Sequence, residues 1–265
     1  MAEEYTNTVE TYGDNILLEA ITRKSFDSCG NEFIDDTVTM VRPYAFYQST
    51  DIYTVILPNA TKVGYSAFIG TQLTTLILPW NKITEIDYRA FYGSSATYPN
   101  PHKQTSLTLS KLTTLGGYAF ANAGSYTSEL EFVSAPLLTA LPTAAFRYQD
   151  GLIYANFATA VANSSSPFEG CTSLKRLRIG GDLSSIPAKL LYGCTAVNTL
   201  VLDGVTDVPT VPNTNAFTDC GLASGYVYVP KALVSDFQND SKWSSFSFRA
   251  VEDYPACLGD TWVTA

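Results

Sequence analysis

The chain has 265 residues, with 25 Asp or Glu against 16 Lys or Arg, and a formal net charge of −9. That acidic balance excludes nucleic acid as a partner, because binding a phosphate backbone needs a basic face. No apolar run reaches the roughly 18–20 residues of a membrane span, so no membrane insertion is expected. The single His leaves little from which to build a zinc site or a nucleophile–base pair.

Seventeen Tyr, an aromatic share of 13% and few Lys, Arg or Met predict a neutral polar exterior, as suits an exposed protein. Met1 to Tyr5 is acidic and polar, with neither a basic n-region nor an apolar h-region, so no signal peptide is expected. The predicted location is extracellular, cell-surface or virion-associated. It is reached after removal of a leader or by release inside a virion, the route a native Met1 favours. Residues 1–37 are expected to form an N-terminal cap, with Ile16-Leu17-Leu18-Glu19-Ala20-Ile21 packing over the first repeat.

Residues 38–230 repeat one phrase, an apolar residue, a few polar ones, then Ala-Phe or a near equivalent. It reads Val41-Arg42-Pro43-Tyr44-Ala45-Phe46, Val63-Gly64-Tyr65-Ser66-Ala67-Phe68, Ile86-Asp87-Tyr88-Arg89-Ala90-Phe91, Leu115-Gly116-Gly117-Tyr118-Ala119-Phe120 and Leu141-Pro142-Thr143-Ala144-Ala145-Phe146. Looser copies end at Pro167-Phe168, Leu190-Leu191 and Ala216-Phe217. The anchors Phe46, Phe68, Phe91, Phe120, Phe146, Phe168, Leu191 and Phe217 lie 22, 23, 29, 26, 22, 23 and 26 residues apart. A recurring period of about 20–29 residues predicts a stacked solenoid, here of about eight coils, in which each coil covers the apolar stripe of the next.

Between anchors comes a strand signal, L-x-x-L-x-L, as in Leu73-x-x-Leu76-x-Leu78, Leu174-x-x-Leu177-x-Ile179 and Val197-x-x-Leu200-x-Leu202. Its alternation places one set of side chains inward and the other outward. Strands of successive coils are expected to pair in parallel as one continuous sheet. The apolar spacing then changes to three and five, as in Ile83-Ile86-Phe91 and Leu112-Leu115-Phe120, which suits a compact turn or 3₁₀ segment more than a second strand. The small residue before Phe lets coils approach closely. Leu190 and Pro167 break that rule, so looser packing is expected over residues 160–192.

Insertions follow three of the anchors, at 93–105, 121–128 and 147–151, and emerge along one edge. They carry Tyr98, His102, Tyr126 and Tyr148. Tyr among Ser, Gly and Asn is the makeup of adaptable binding loops, so these residues are candidate ligand contacts. The outward strand positions form a second candidate surface. It holds Tyr154, Asn156 and a local basic patch of Lys175, Arg176 and Arg178, suited to an acidic partner or an anionic glycan. The alternative for the patch is a solvated face that discourages edge pairing. Ile56 and Ile77 make an outward apolar spot in the early coils.

Cys171, Cys194 and Cys220 each follow an anchor by three residues, where other coils have Thr71 and Ser94. They are expected to be a ladder of small buried residues. With no C-x-x-C pair, no metal or other cofactor is expected. Cys29 and Cys257 flank the array, and a bridge between them is opposed by an extended solenoid. Residues 231–265 are read as a C-terminal cap and tail. Pro230 opens a short helix in which Leu233, Val234 and Phe237 share a face, Trp243, Phe246 and Phe248 close the array, and the chain after Tyr254 is free or an attachment segment.

No catalytic constellation is present in the sequence pattern. His102 lies in a Pro-flanked insertion with no residue to orient it. Asp35-Asp36 and Glu252-Asp253 lie near the ends of the array, and Gly116-Gly117 and Gly180-Gly181 lack a phosphate-loop pattern. The chain is therefore read as non-enzymatic.

The phrase φ-x-x-x-A-F followed by L-x-x-L-x-L-P, clearest from Val55-Ile56-Leu57-Pro58 to Phe68 and from Leu76-Ile77-Leu78-Pro79 to Phe91, resembles the BspA-like leucine-rich repeats of bacterial surface proteins. The likeness spans about residues 38–254 and includes an end of the form Tyr226-Val227-Tyr228-Val229-Pro230, a short helix, then Trp243. Such proteins are similar to bacterial adhesins and to phage or prophage structural proteins, which implies recognition rather than chemistry.

The expected fold is a mostly β leucine-rich-repeat solenoid with a parallel sheet on one face, irregular or 3₁₀ segments on the other, and a short C-terminal capping helix. The expected function is a recognition or adhesion module on a bacterial surface or phage virion, meeting a protein or glycan on a cell surface or other virion subunits. The alternatives are a purely structural virion component acting as spacer or assembly contact and, more remotely, an intracellular interaction scaffold.

Overall fold

The computed structural model describes residues 9–12, 15–18, 31–71, 73–93, 105–122, 128–159, 161–162 and 164–258. The chain winds into a parallel-sheet solenoid of about nine turns with one short α-helix, Val234–Asn239, near the C-terminus.

The front wall holds the L-x-x-L-x-L strands. Glu32–Ile34, Thr54–Ile56 and Thr75–Ile77 pair in parallel as one three-stranded piece. Ser106–Thr108, Phe132–Ser134, Tyr154–Phe157, Arg176–Ile179, Thr199–Val201, Tyr226–Val229 and Phe248–Ala250 form a seven-stranded piece, also parallel throughout. The break between them falls at the first long insertion. Inward positions are fully or almost fully buried, among them Val55, Leu76, Leu107, Val133, Ala155, Leu177, Leu200 and Val227.

A second wall differs from the sequence expectation. The apolar residue opening each of the first five phrases, Val41, Val63, Ile86, Leu115 and Leu141, sits in a two-residue strand. Met40–Val41, Lys62–Val63, Glu85–Ile86 and Thr114–Leu115 pair in parallel, and Ala140–Leu141 pairs with Val161–Ala162. At the start of this wall, Val9–Tyr12 and Asn15–Leu18 form an antiparallel hairpin whose second strand pairs with Met40–Val41. Two residues are too few to leave a period-2 alternation, so the spacing reads as a turn although the backbone extends across it.

The corner carrying the Ala-Phe anchor is a run of turns with a fixed rhythm. In the first coil the Tyr44, Phe46 and Gln48 N–H groups donate to the Tyr65, Ala67 and Ile69 carbonyls of the next coil, at 2.9, 2.8 and 2.7 Å. The intervening Ala45, Tyr47 and Ser49 N–H groups donate within the coil to Arg42, Tyr44 and Phe46, at 3.2, 3.0 and 3.1 Å. This alternation requires left-handed backbone. The residue two places before the anchor has φ between 50° and 62° in Tyr44, Ser66, Arg89, Tyr118, Ala144, Ser166 and Lys189. A second left-handed residue two positions after the anchor recurs as Gln48, Gly70, Tyr148, Gly170, Gly193 and Asp219. Each non-glycine in this region costs roughly 1–2 kcal/mol, which the inter-coil bonds it enables offset.

The anchors form a stack through the core. Phe46, Phe68, Phe91, Phe120, Phe146 and Phe168 succeed one another at centroid separations of 5.0, 5.2, 5.3, 5.4 and 5.7 Å, with planes within 12°. Among the described residues the looser packing expected over residues 160–192 is not found: Phe168, Leu174, Ile186, Leu190 and Leu191 are all 0% exposed. Leu190 fills the space that Ala leaves elsewhere, and the Phe146 N–H still reaches the Pro167 carbonyl at 2.9 Å.

The Cys ladder is two rungs deep. The Cys171 and Cys194 thiols are buried and donate to the Phe146 and Phe168 carbonyls at 3.1 Å each. Thr71, the counterpart in an earlier coil, is also buried and donates to Phe68 O at 3.0 Å. Cys220 is only half-buried, because its anchor Phe217 is followed by the closing segment rather than another coil. Ser94 and Cys29 lie outside the described residues. Trp243 is fully buried, packs edge-on against Phe237 and Phe246, and donates from Nε1 to Pro209 O at 2.8 Å. After Tyr254, Pro255–Leu258 forms a 3₁₀ turn whose Cys257 packs on Val201 and Val251, and the rest of the tail, residues 259–265, lies outside the described residues.

Candidate functional site

Parallel register lines up the outward residues of the last coils in two rows. One runs Ser106, Phe132, Tyr154, Arg176, Thr199, Tyr226. The other runs Thr108, Ser134, Asn156, Arg178, Val201, Tyr228, Arg249. With strands about 4.8 Å apart, neighbours in a row touch. Phe132 and Tyr154 stack at 5.1 Å, and the Arg176 guanidinium lies over the Tyr154 ring at 5.0 Å. Tyr154, Asn156 and Arg176 therefore point outward as the alternation requires, yet are only 6%, 5% and 6% exposed. The solvated basic face does not form. Lys175 is exposed, Arg176 is buried among its row, and Arg178 is engaged by a carboxylate.

Arg178 forms a two-pronged pair with Asp203, Nε to Oδ1 at 3.0 Å and Nη2 to Oδ2 at 2.7 Å, and its Nη1 donates to Leu258 O at 3.0 Å. The hydrogen bond with Asp203 raises the arginine's pKa further. The Nη1 bond to Leu258 O ties the Pro255–Leu258 turn across the outer face. At the end of the rows, the Arg249 guanidinium lies 3.5 Å from the Tyr226 ring centroid and 4.7 Å from that of Tyr254, and Nη1 donates to the Tyr228 hydroxyl at 3.3 Å.

Between these layers lies a cleft of about 260 Å³. Its floor and walls are Tyr154, Lys175, Arg176, Asn198, Thr199 and Tyr228, with Ile153 and Cys257 at its sides. The Thr199 hydroxyl donates to Asn198 Oδ1 at 2.9 Å and orients that amide. Among the described residues the lining holds two cations and no carboxylate, in a chain where acids outnumber bases, so the local sign opposes the global one.

Tyr148 lies at the solenoid edge. Its ring lies 4.4 Å from the Arg147 guanidinium, and Arg147 Nη2 donates to its hydroxyl at 2.7 Å. It borders an open hollow of about 420 Å³ with Asp150, Glu169 and Tyr192. Glu169 is 4% exposed and bridges Arg147 Nε at 2.9 Å and Lys189 Nζ at 2.8 Å. Burial alone raises a carboxyl's pKa, and here Lys189 and Arg147 outweigh it and hold Glu169 below its ordinary value. Tyr98, His102 and Tyr126 lie outside the described residues, so the row they would form with Tyr148 is not described.

One surface escaped the sequence reading, and a second was read only in part. Tyr44, Tyr65, Tyr88 and Tyr118 succeed one another along the turn corner at centroid separations of 5.2, 5.4 and 5.8 Å, the middle pair stacked and the outer two tilted or edge-on, and Arg89 lies within 5.5 Å of the Tyr88, Tyr92 and Tyr118 rings. The signal was present, a Tyr one or two places before the Ala in four consecutive phrases, but period-counting on apolar residues passes over it. On the early front wall, Ile34, Ile56 and Ile77 share one row, with Ile34 and Ile77 61% and 47% exposed. Ile34, part of the same spot as Ile56 and Ile77, sits before the first recognised strand signal.

Among the described residues no group of three or more His, Cys, Asp or Glu side chains could hold a metal ion, and no helix is long and apolar enough to cross a membrane.

The chain is similar to a solved leucine-rich repeat protein from Bacteroides ovatus ATCC 8483, at 16% identity over 91% of this chain and 90% of that one, with a TM-score of 0.32. It is also similar to a leucine rich cell surface protein from Faecalibacterium prausnitzii A2-165, at 18% identity over 80% of this chain and 67% of that one, TM-score 0.31. A third likeness is to the pneumococcal vaccine antigen PcpA, at 14% identity over 83% of this chain and 67% of that one, TM-score 0.43. No curated protein sequence matches the chain, and no enzymatic family is indicated. The model of the BspA type leucine rich repeat region matches in 6 copies over residues 19–128 and 94–223, which is most of the array, so the chain belongs to the BspA-type leucine-rich-repeat family.

Proposed function

We propose that this protein is a non-enzymatic recognition module, displayed on a bacterial surface or a phage virion, that binds a protein or glycan through the outer face of its last coils. BspA-type arrays are typically surface protein-interaction modules. The observation that carries the reading here is the cleft at Tyr154, Lys175, Arg176 and Tyr228. It is concave, combines aromatic rings with a few convergent polar groups, and stands on strands whose backbone groups are already paired, the usual composition of a binding site. A rigid floor lowers the ordering cost of binding.

The test is direct. Purified, fluorescently labelled protein is expected to bind bacterial or host cells saturably, and an excess of unlabelled protein is expected to displace it. Binding that rises linearly with concentration and resists competition would remove the reading. Copurification with particles, with no cell binding, would favour a structural virion part instead.

A further inference from the structure

We infer that the turn corner bearing Tyr44, Tyr65, Tyr88, Arg89 and Tyr118 is a second docking surface, and that its partner is a protein segment bringing an Asp or Glu side chain to Arg89. This goes beyond the last-coil cleft proposed above and uses none of its residues. The first argument is charge. Arg89 is half-buried, and its guanidinium lies 5.1, 5.3 and 5.5 Å from the Tyr88, Tyr92 and Tyr118 ring centroids. Among the described residues it makes no ion pair and no hydrogen bond, and its Nε is buried without a partner. The acid closest in sequence, Asp87, accepts the Tyr88 N–H at 2.6 Å instead. The insertions that follow the anchors Phe91 and Phe120, at 93–105 and 121–128, contain no Asp or Glu. Arg147 and Arg178 hold carboxylates of their own chain, whereas the charge on Arg89 is left for an acid from outside.

The rings hold this cation without using it up. Cation–π attraction acts through the guanidinium's faces and leaves the in-plane N–H groups for an acceptor. With Nε enclosed, the terminal Nη1 and Nη2 are what Arg89 offers a partner, and that fork matches the two oxygens of a carboxylate.

The ladder favours a protein over an acidic glycan. A pyranose stacks on an open ring face, but Tyr65 and Tyr88 turn their faces on each other, at 5.4 Å and 18° between planes. Tyr88, Tyr92 and Tyr118 are further taken up by Arg89. Rings stacked from coil to coil present edges and hydroxyls to solvent, and at the open end Tyr44 and Tyr47 are 48% and 42% exposed. Ring edges carry the positive part of the aromatic quadrupole. With phenol O–H groups beside them they suit the carbonyls and apolar side chains of a peptide. Tyr and Arg are also the residues that dominate contacts between proteins. An extended segment advances roughly 3.3 Å per residue, so about five residues run from Tyr44 to Tyr118.

The experiment selects a displayed library of random short peptides on the immobilised whole chain. The enriched peptides, and a labelled oligogalacturonate as the acidic glycan, are then titrated by fluorescence polarisation. Enriched peptides are expected to carry an Asp or Glu beside an aromatic or branched aliphatic residue. Replacing that acid by its amide is expected to weaken binding about tenfold or more, as befits loss of a charged hydrogen bond. Arg89→Ala should weaken it equally with the fold kept, because Ala144 holds the same left-handed turn position in another coil, at φ 53°. Arg89→Lys, a residue that Lys189 shows to fit this position at φ 55°, keeps the charge without the fork and should retain only part of the affinity. Lys175→Ala should change nothing. Failure to enrich any peptide, enrichment without acids, binding that follows Lys175 instead of Arg89, or oligogalacturonate that binds through Arg89 more tightly than the peptides would overturn the inference.

Discussion

At Gly170 and Gly193 the same left-handed turn meets different surroundings. Both have φ near +70°, but a Cβ on Gly170 would lie 2.3 Å from Tyr148 Cδ1, while one on Gly193 would find Gly170 Cα at 3.7 Å. Gly193→Ala should therefore cost only the backbone strain, about 1 kcal/mol. Gly170→Ala must also displace the Tyr148 ring from Arg147 and should cost about 2–3 kcal/mol. Urea denaturation of the two variants reads the difference, and equal midpoints would contradict the contact. The thiols make a second residue-scale case. Burial raises Cys194 to about 12 and Cys171 well above its ordinary value. A thiol whose folded pKa is raised contributes stability that is complete below its unfolded value and is lost as pH climbs toward the folded one. Stability should decline as pH rises above about 9, and Cys194→Ser should flatten that decline. In native protein at pH 8, mass mapping after maleimide treatment should find Cys220 modified well before Cys171 and Cys194. The ladder itself was legible because three cysteines share one offset from their anchors. The shallower burial of Cys220 was not, since the offset is local while burial depends on the neighbouring coil that packs over it. The left-handed residues were half legible: Gly70, Gly170 and Gly193 mark the second position, but Tyr, Ser, Arg, Ala and Lys at the first carry no common side-chain chemistry.

Among the elements, the front strands were readable because period-2 alternation over four to six residues is a strong signal, and Val55 to Leu57 or Leu200 to Leu202 bury the residues it assigns inward. The second wall was not, because two paired residues per coil give no alternation to read. The candidate face shows the same limit. The pattern placed Tyr154, Asn156 and Arg176 outward, and outward is where they point, but an outward side chain is exposed only if its row is sparse. Here Phe132, Tyr154 and Arg176 fill consecutive places, and Leu258 reaches back from 80 residues away to Arg178. Between coils, Glu169 joins two turns through Arg147 and Lys189. Its partners are 30% and 36% exposed on their side chains, so they stay hydrated when the carboxylate is removed. Glu169→Gln should accordingly cost about 1–2 kcal/mol at pH 7, less than a fully buried pair. A carboxyl whose folded pKa is lowered contributes stability that is present above its unfolded value and lost as pH falls through the folded one. The gap between wild type and Glu169→Gln should therefore close below about pH 4.5, which melting temperatures across pH 3–7 would show. A gap that persists at pH 3 would mean the carboxylate acts through packing alone.

Taken whole, the molecule is close to one-dimensional: each coil bonds to the one before and the one after, and the aromatic stack runs from Phe46 to Phe168 without a single centre. Stability in such an array is a sum of coil terms and neighbour terms, so damage should stay near where it is made. Trp243 offers the sharpest test. It is fully buried, lies against Phe217, Phe237, Phe246 and Phe248, and its indole N–H holds Pro209 O at 2.8 Å. Trp243→Ala removes the group that covers the last anchor and should cost about 3–5 kcal/mol locally. Hydrogen exchange should then show faster opening at Thr199–Val201 and Tyr226–Val229, while Thr54–Ile56 and Thr75–Ile77 keep their protection. The same loosening should reach the candidate cleft, since Asn198, Thr199 and Tyr228 stand on those last strands. Uniform loss of protection from the first coil to the last would instead mean that the array unfolds as one cooperative body, and that the coils are coupled far more strongly than nearest-neighbour stacking provides.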